Sequence, residues 1–123
     1  MVDPKLTLLL RRLHKKTLES KVPWERTVDE GVFQASFKGY SVILFSRPTK
    51  QPEPDPNAID YVLQIFNEDG VLVEEVDDLD FDKNELGQFP YIMMDEIYTS
   101  ARRTVMGVDK AIDTLLKALD EDN

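Results

Sequence analysis

Cysteine is absent from the 123 residues, and histidine and tryptophan occur once each. The first absence excludes a disulfide framework, thiol chemistry and any cysteine-ligated zinc or iron–sulfur centre. No apolar run approaches the ~20 residues that a helix needs to cross a bilayer. The first residues also lack the apolar core and small-residue cleavage site of a secretory leader. The expected setting is the cytoplasm, with no membrane partner. Glycine is scarce, at five, and no glycine-rich phosphate loop, G-x-S-x-G elbow or H-E-x-x-H helix occurs. Charge, in contrast, is abundant: 24 acids against 15 bases give a formal net charge of −9. Such a surface repels phosphate backbones and argues against nucleic acid as a partner. Hydrophobic residues make up 41%, enough for one modest core, and the length suits a single domain over 1–123.

The charge is unevenly spread. Residues 1–22 carry Lys5, Arg11, Arg12, Lys15, Lys16 and Lys21 against Asp3 and Glu19. Residues 68–85 carry nine acids, among them Glu74, Glu75, Asp77 and Asp78, against Lys83 alone. Two solvated faces of opposite sign can attract one another, inside one molecule or between two; the alternative is that the acidic end is a surface for a basic partner.

Asp3 and Pro4 form a helix start, with a capping carboxylate followed by a proline whose missing N–H costs nothing there. Leu6, Leu9, Leu10, Leu13 and Thr17 then make one apolar stripe, with Leu8 and Leu18 off it. This helix is expected to end around Ser20 to Val22, ahead of Pro23. Alternation in 31–47 about Lys38-Gly39 predicts one hairpin, and Tyr61 to Val76 about Asp69-Gly70 predicts another. Between them, 47–58 holds four of the seven prolines and reads as a mobile, extended loop. Residues 77–88 read as an acidic loop. Two helices close the chain. Tyr91, Met94, Ile97, Tyr98, Ala101 and Val105 share a face of the first, which ends at Gly107. Ile112, Leu115, Leu116 and Leu119 make the stripe of the second, and residues 120–123 should fray. The order predicts an α+β fold: a four-stranded antiparallel sheet with the N-terminal helix and both C-terminal helices packed on it.

Few residues offer chemistry. His14 lies among Arg12, Lys15 and Lys16 with no carboxylate within a turn on its face, so it reads as a solvated histidine and not a general base. Asp78, Asp80, Asp82 and Asn84 alternate as calcium ligands do. This run resembles the opening of an EF-hand loop. It departs where Lys83 replaces the turn glycine and Phe89 replaces the closing glutamate. A solvated acidic loop is the competing reading, and no cofactor is implied. Tyr40, Tyr61, Tyr91 and Tyr98 with Arg102 could line a pocket for an anionic organic ligand, or else complete the core rim. Leu8, Trp24, Ile92 and Met93 are candidates for an apolar contact surface, with core-edge packing the alternative for Trp24.

Thr17, Trp24, the hairpin GVFQASFKGYSVILF, the strand YVLQIFNEDG and the helical stretch YTSARRTVMGVDKAIDTLL together resemble small bacterial proteins of unassigned function. The resemblance implies the fold and a bacterial cytoplasmic setting, but no activity. In composition the chain is also similar to type III secretion chaperones and bacterial immunity proteins, although the chaperones carry a helix between strands that this order lacks. The expected function is a non-enzymatic interaction or accessory module acting on a protein partner or as a homodimer. The alternative is a small-ligand binder or enzyme with its pocket between sheet and helices.

Overall fold

A computed structural model describes residues 2–51 and 55–121. Pro52 and Pro54 of the expected mobile loop, and the last two residues of the expected fraying end, lie outside the described residues. The first helix, α1, spans Pro4–Leu18, and the Asp3 carboxylate accepts the Lys5 N–H at 2.8 Å. It stops ahead of the expected end because Ser20 turns left-handed, with φ 61°. The Ser20 and Lys21 N–H groups then reach back to the Thr17 and Lys16 carbonyls at 3.0 and 2.9 Å. This is a Schellman closure made without glycine.

Five strands follow: β1 (Glu25–Arg26), β2 (Phe33–Phe37), β3 (Tyr40–Pro48), β4 (Ile59–Phe66) and β5 (Leu72–Asp77). They form one antiparallel sheet in chain order, with five strands where the sequence suggested four. The additional strand, β1, pairs only Glu25 with Gln34 and Arg26 with Phe33. Two polar residues are too few to display a period of two. At the β2–β3 turn both Lys38 (φ 52°) and Gly39 (φ 88°) are left-handed, as a type I′ hairpin requires. The β4–β5 turn is organised by Asn67, whose side-chain oxygen accepts the Asp69 and Val71 N–H groups at 2.9 and 3.0 Å.

The register sets Leu44 opposite Leu63 and Leu63 opposite Val76, on one face with Phe33, Ala35, Val42 and Tyr61. Leu10 and Leu13 of α1 and Met94, Ile97 and Ala101 of the long helix α3 (Pro90–Met106) close the core over that face. On the opposite face Val62 is fully buried between Phe45 and Asp77, and Arg47 ties β3 to β5 through Asp77 at 3.1 Å.

The acidic segment is more ordered than a loop. It forms a 3-10 turn (Asp78–Asp80) and a short helix α2 (Lys83–Leu86), both capped by its own carboxylates. The last helix, α4 (Val108–Glu121), corrects the expectation of a third helix on the sheet. It buries none of its residues, and among the elements it packs chiefly against α3. Gly107 is left-handed (φ 64°), which ends α3 and redirects the chain. Arg103 and Asp109 then pair across the joint at 2.6 Å. Leucines 115, 116 and 119 are left 63%, 56% and 65% exposed, and Ile112 44%.

Candidate functional site

The structure gathers three of the four tyrosines along the seam between β4 and α3. Tyr61 lies at the centre, its ring 5.2 Å from that of Tyr91 and 5.3 Å from that of Tyr98. Phe33 extends the row, 5.2 Å from Tyr98. These are tilted contacts of the kind aromatic quadrupoles favour. The Tyr61 hydroxyl donates to the Asp95 carboxylate, and the Tyr98 hydroxyl donates to the Gly31 carbonyl at 2.9 Å. Gly31 must stay small and left-handed for this, since a Cβ there would stand 3.2 Å from the Tyr98 hydroxyl. Tyr40 takes no part in the row. It sits at the other end of the sheet, opposite Phe37, and is exposed.

Burial raises the phenol of Tyr61 far above its ordinary 10.0, and the hydrogen bond and negative charge of Asp95 add to it. Tyr91 is raised by burial and then by Asp95 and Asp78, and Tyr98 by burial against the opposing pull of Arg102. All three phenols are therefore neutral donors at physiological pH. The row can hold a rim together or donate to a ligand, but it supplies no phenolate base.

Two clefts flank it. One, of about 540 Å³, lies at the C-terminal end of α3 between Arg26, Phe33, Tyr98, Arg102, Val105 and Met106. The other, of about 550 Å³, is lined by Thr49, Asp60, Asp78, Phe89 and Tyr91, among others. Its carboxylates are engaged by the fold. Asp60 accepts from the Thr49 hydroxyl at 2.9 Å and the Lys50 N–H at 3.0 Å, and Asp78 accepts the Tyr61 N–H at 2.7 Å. Burial raises the Asp78 carboxyl above its ordinary 3.8, an effect that the Tyr61 N–H opposes.

The residues of the calcium candidate are likewise taken up one by one. Asp78 turns inward to β4. Asp80 accepts the Asp77 N–H at 2.8 Å, and Asp82 accepts the Asn84 N–H at 2.8 Å. Asp78 serves a strand and Asp80 and Asp82 serve separate turns, so Asp78, Asp80, Asp82 and Asn84 are not gathered on one point. Among the described residues no group of three or more His, Asp or Glu side chains is placed to hold a metal ion.

Of the four proposed contact residues, Leu8 and Ile92 are exposed, whereas Trp24 and Met93 are core residues. The Trp24 indole N–H donates to the Thr17 hydroxyl at 3.1 Å inside the core. Met93 and Met94 are both buried because α3 is covered on two sides, by α1 and by the sheet with its 3-10 turn. His14 has an acidic partner that its own helix did not show: Nε2 lies 3.1 Å from Oε1 of Glu96 on α3.

Two surfaces stand out once the tyrosines and carboxylates are accounted for. One is the α4 stripe. The other is a groove of about 440 Å³ between α1 and the β2–β3 hairpin. Leu9, Leu13, Val22, Phe37 and Val42 make its floor, and Arg12, Lys16 and Lys21 its rim. Sequence reading contained the signal for both, in the periodic leucines and the basic first helix, but not their exposure. No helix among the described residues is long and apolar enough to cross a membrane. Comparison with family models, curated proteins and solved structures finds no match for this chain.

Proposed function

We propose that the chain is a non-enzymatic protein-interaction module of the cytoplasm whose docking element is α4. The observation that carries this reading is the exposed apolar face of that helix, none of whose residues is buried. A contiguous exposed apolar face on an otherwise well-packed domain marks a contact surface. Helix-in-groove recognition reads anchors at the spacing of Ile112, Leu115, Leu116 and Leu119. Neutral phenols, carboxylates consumed as caps and a net charge of −9 also favour a binding module over a catalyst or a nucleic-acid binder.

A photo-crosslinking side chain in place of Leu115 tests this in the native cytoplasm. A discrete protein adduct is expected, either with a second copy or with another protein. A folded variant that yields no adduct above the level seen from an exposed control such as Asp69 overturns the reading.

A second reading rests on one observation: Arg26 and Arg102 share the cleft walled by Phe33 and Tyr98. Asp29 and Glu30 line the same cleft, so aromatic walls with charges of both signs suit a small organic ligand whose anionic group engages the arginines. A ligand bound only by the folded state must raise the melting temperature. Silence across a library of carboxylates and phosphates removes this alternative.

A further inference from the structure

The apolar stripe of α4 and the basic groove beside α1 match in more than hydrophobicity. At about 100° per residue, Ile112, Leu115, Leu116 and Leu119 cluster on one side of the helix, and Asp109, Asp113 and Asp120 all fall along one border of that cluster. Ala111 and Ala118 fall along the other border, where small side chains permit close approach. The groove has the complementary layout. Its apolar floor is edged by Arg12 and Lys16, one helical turn apart, with Lys21 at its end; Asp109 is held by Arg103, so Asp113 and Asp120 are the border acids that would meet these cations. In a chain of net charge −9, an apolar groove edged by Arg12, Lys16 and Lys21, with Glu19 3.9 Å from Lys16 and 3.5 Å from Lys21, favours an acidic amphipathic helix. An anionic membrane would repel the same helix.

Resting on the reading of α4 as a docking element, we infer that its occupant is a second copy of this chain: α4 of each protomer lies in the α1–hairpin groove of the other. The helix does not serve its own groove, because the left-handed Gly107 and the Arg103–Asp109 pair direct it away, and it packs chiefly on α3. A helix-to-groove contact joins two different surfaces, so a single one would propagate into open chains. Two of them related by a two-fold axis close into a dimer, with both stripes and both grooves covered.

The test uses the full chain with exposed charges reversed, which leaves the core untouched. Arg12, Lys16, Asp113 and Asp120 are all exposed. One variant carries Arg12→Glu and Lys16→Glu, and the other Asp113→Lys and Asp120→Lys. Light scattering over a dilution series should give the wild type about twice 14.2 kDa, and each variant alone the monomer mass. Mixed, the two variants should form a heterodimer, because both of its contacts then join opposite charges. A wild type that stays monomeric at high concentration overturns the inference. So does an undiminished dimer of the groove variant, which would mean that α4 pairs with α4. In both cases an adduct at Leu115 with a different protein or with the partner copy's α4 would leave the interaction module standing, whereas no adduct would remove both.

Discussion

Replacing Leu63 by alanine and replacing Leu119 by alanine removes the same atoms from two very different places. Leu63 is 1% exposed, at the middle of β4 between Leu44 and Val76. Truncation there forfeits the transfer free energy and leaves a cavity, at a cost of about 2–5 kcal/mol. Leu119 is 65% exposed. Full burial of a leucine is worth about 1.5–3 kcal/mol, and only about a third of that applies to a side chain so open. Alanine's better helix propensity offsets a few tenths more. The expected loss is thus below about 1 kcal/mol in the monomer. Urea unfolding of dilute protein, followed by the fluorescence of the single buried Trp24, reads both. With a slope of about 1–3 kcal/mol per molar, the Leu63→Ala midpoint should fall by about 1 M or more, and the Leu119→Ala midpoint should barely move. At higher concentration the wild type should gain stability that Leu119→Ala does not, because association adds to the folded side alone. A loss above about 2 kcal/mol for Leu119→Ala in demonstrably monomeric protein would refute the reasoning, since the stripe would then be packed inside its own chain.

Thr17→Val should destabilise by about 1–3 kcal/mol, since it strands the buried Trp24 indole N–H, and chemical denaturation measures this; a neutral effect would place the indole against water. Asp78, whose carboxyl is raised above 3.8 chiefly by burial, contributes stability that is full below that pH and is lost as pH rises through its folded pKa. Asp78→Asn keeps an oxygen for the Tyr61 N–H without the charge, so its stability relative to wild type should improve from acid toward neutrality, and a constant difference would contradict the assignment. Tyr61 is raised above 10.0, so its contribution is present below that pH and fades above it as the unfolded phenol ionises. Tyr61→Phe should therefore cost about 1–2 kcal/mol at pH 8, where the hydroxyl still donates to Asp95, with the gap to wild type narrowing in unfolding experiments above pH 10; a gap that widens there would sink the claim.

Both hairpins were legible because alternation and turn chemistry agree. Lys38-Gly39 joins two runs of period two, and its left-handed angles are the ones such a turn demands. The end of α1 at Leu18 is not legible, because Pro23 is the obvious stop in the sequence, whereas Ser20 adopts a left-handed conformation that glycine normally takes. The acidic run was legible only as two alternatives. Alternating carboxylates look alike whether they converge on a cation or cap successive turns, and the choice depends on backbone angles that spacing does not encode. Asp77, for instance, accepts the Leu79 N–H at 2.9 Å while its own N–H goes to Asp80. Partners from distant segments were invisible for the same reason. Glu96 meets His14 and Asp95 meets Tyr61 only because α3 is laid between α1 and β4.

The two leucine stripes, of α1 and of α4, separate what periodicity can say from what it cannot. Each follows the helical repeat, and each states that an apolar surface must cover it. For α1 the cover lies within the chain, since Leu10 and Leu13 reach the sheet. For α4 no part of the described chain fills that role. Amphipathicity is selected by whatever buries the stripe in the working state, and a partner molecule imposes the same spacing as a sheet does. The distinguishing mark is the residue at the joint. A left-handed glycine at 107 joins α4 to α3 without a loop, which leaves too little chain to fold the helix back across α1. Under the proposed reading, an exposed stripe held in that position by a short joint and an ion pair is where another molecule would dock, and the acidic border along it favours a basic surface. The groove beside α1 is such a surface.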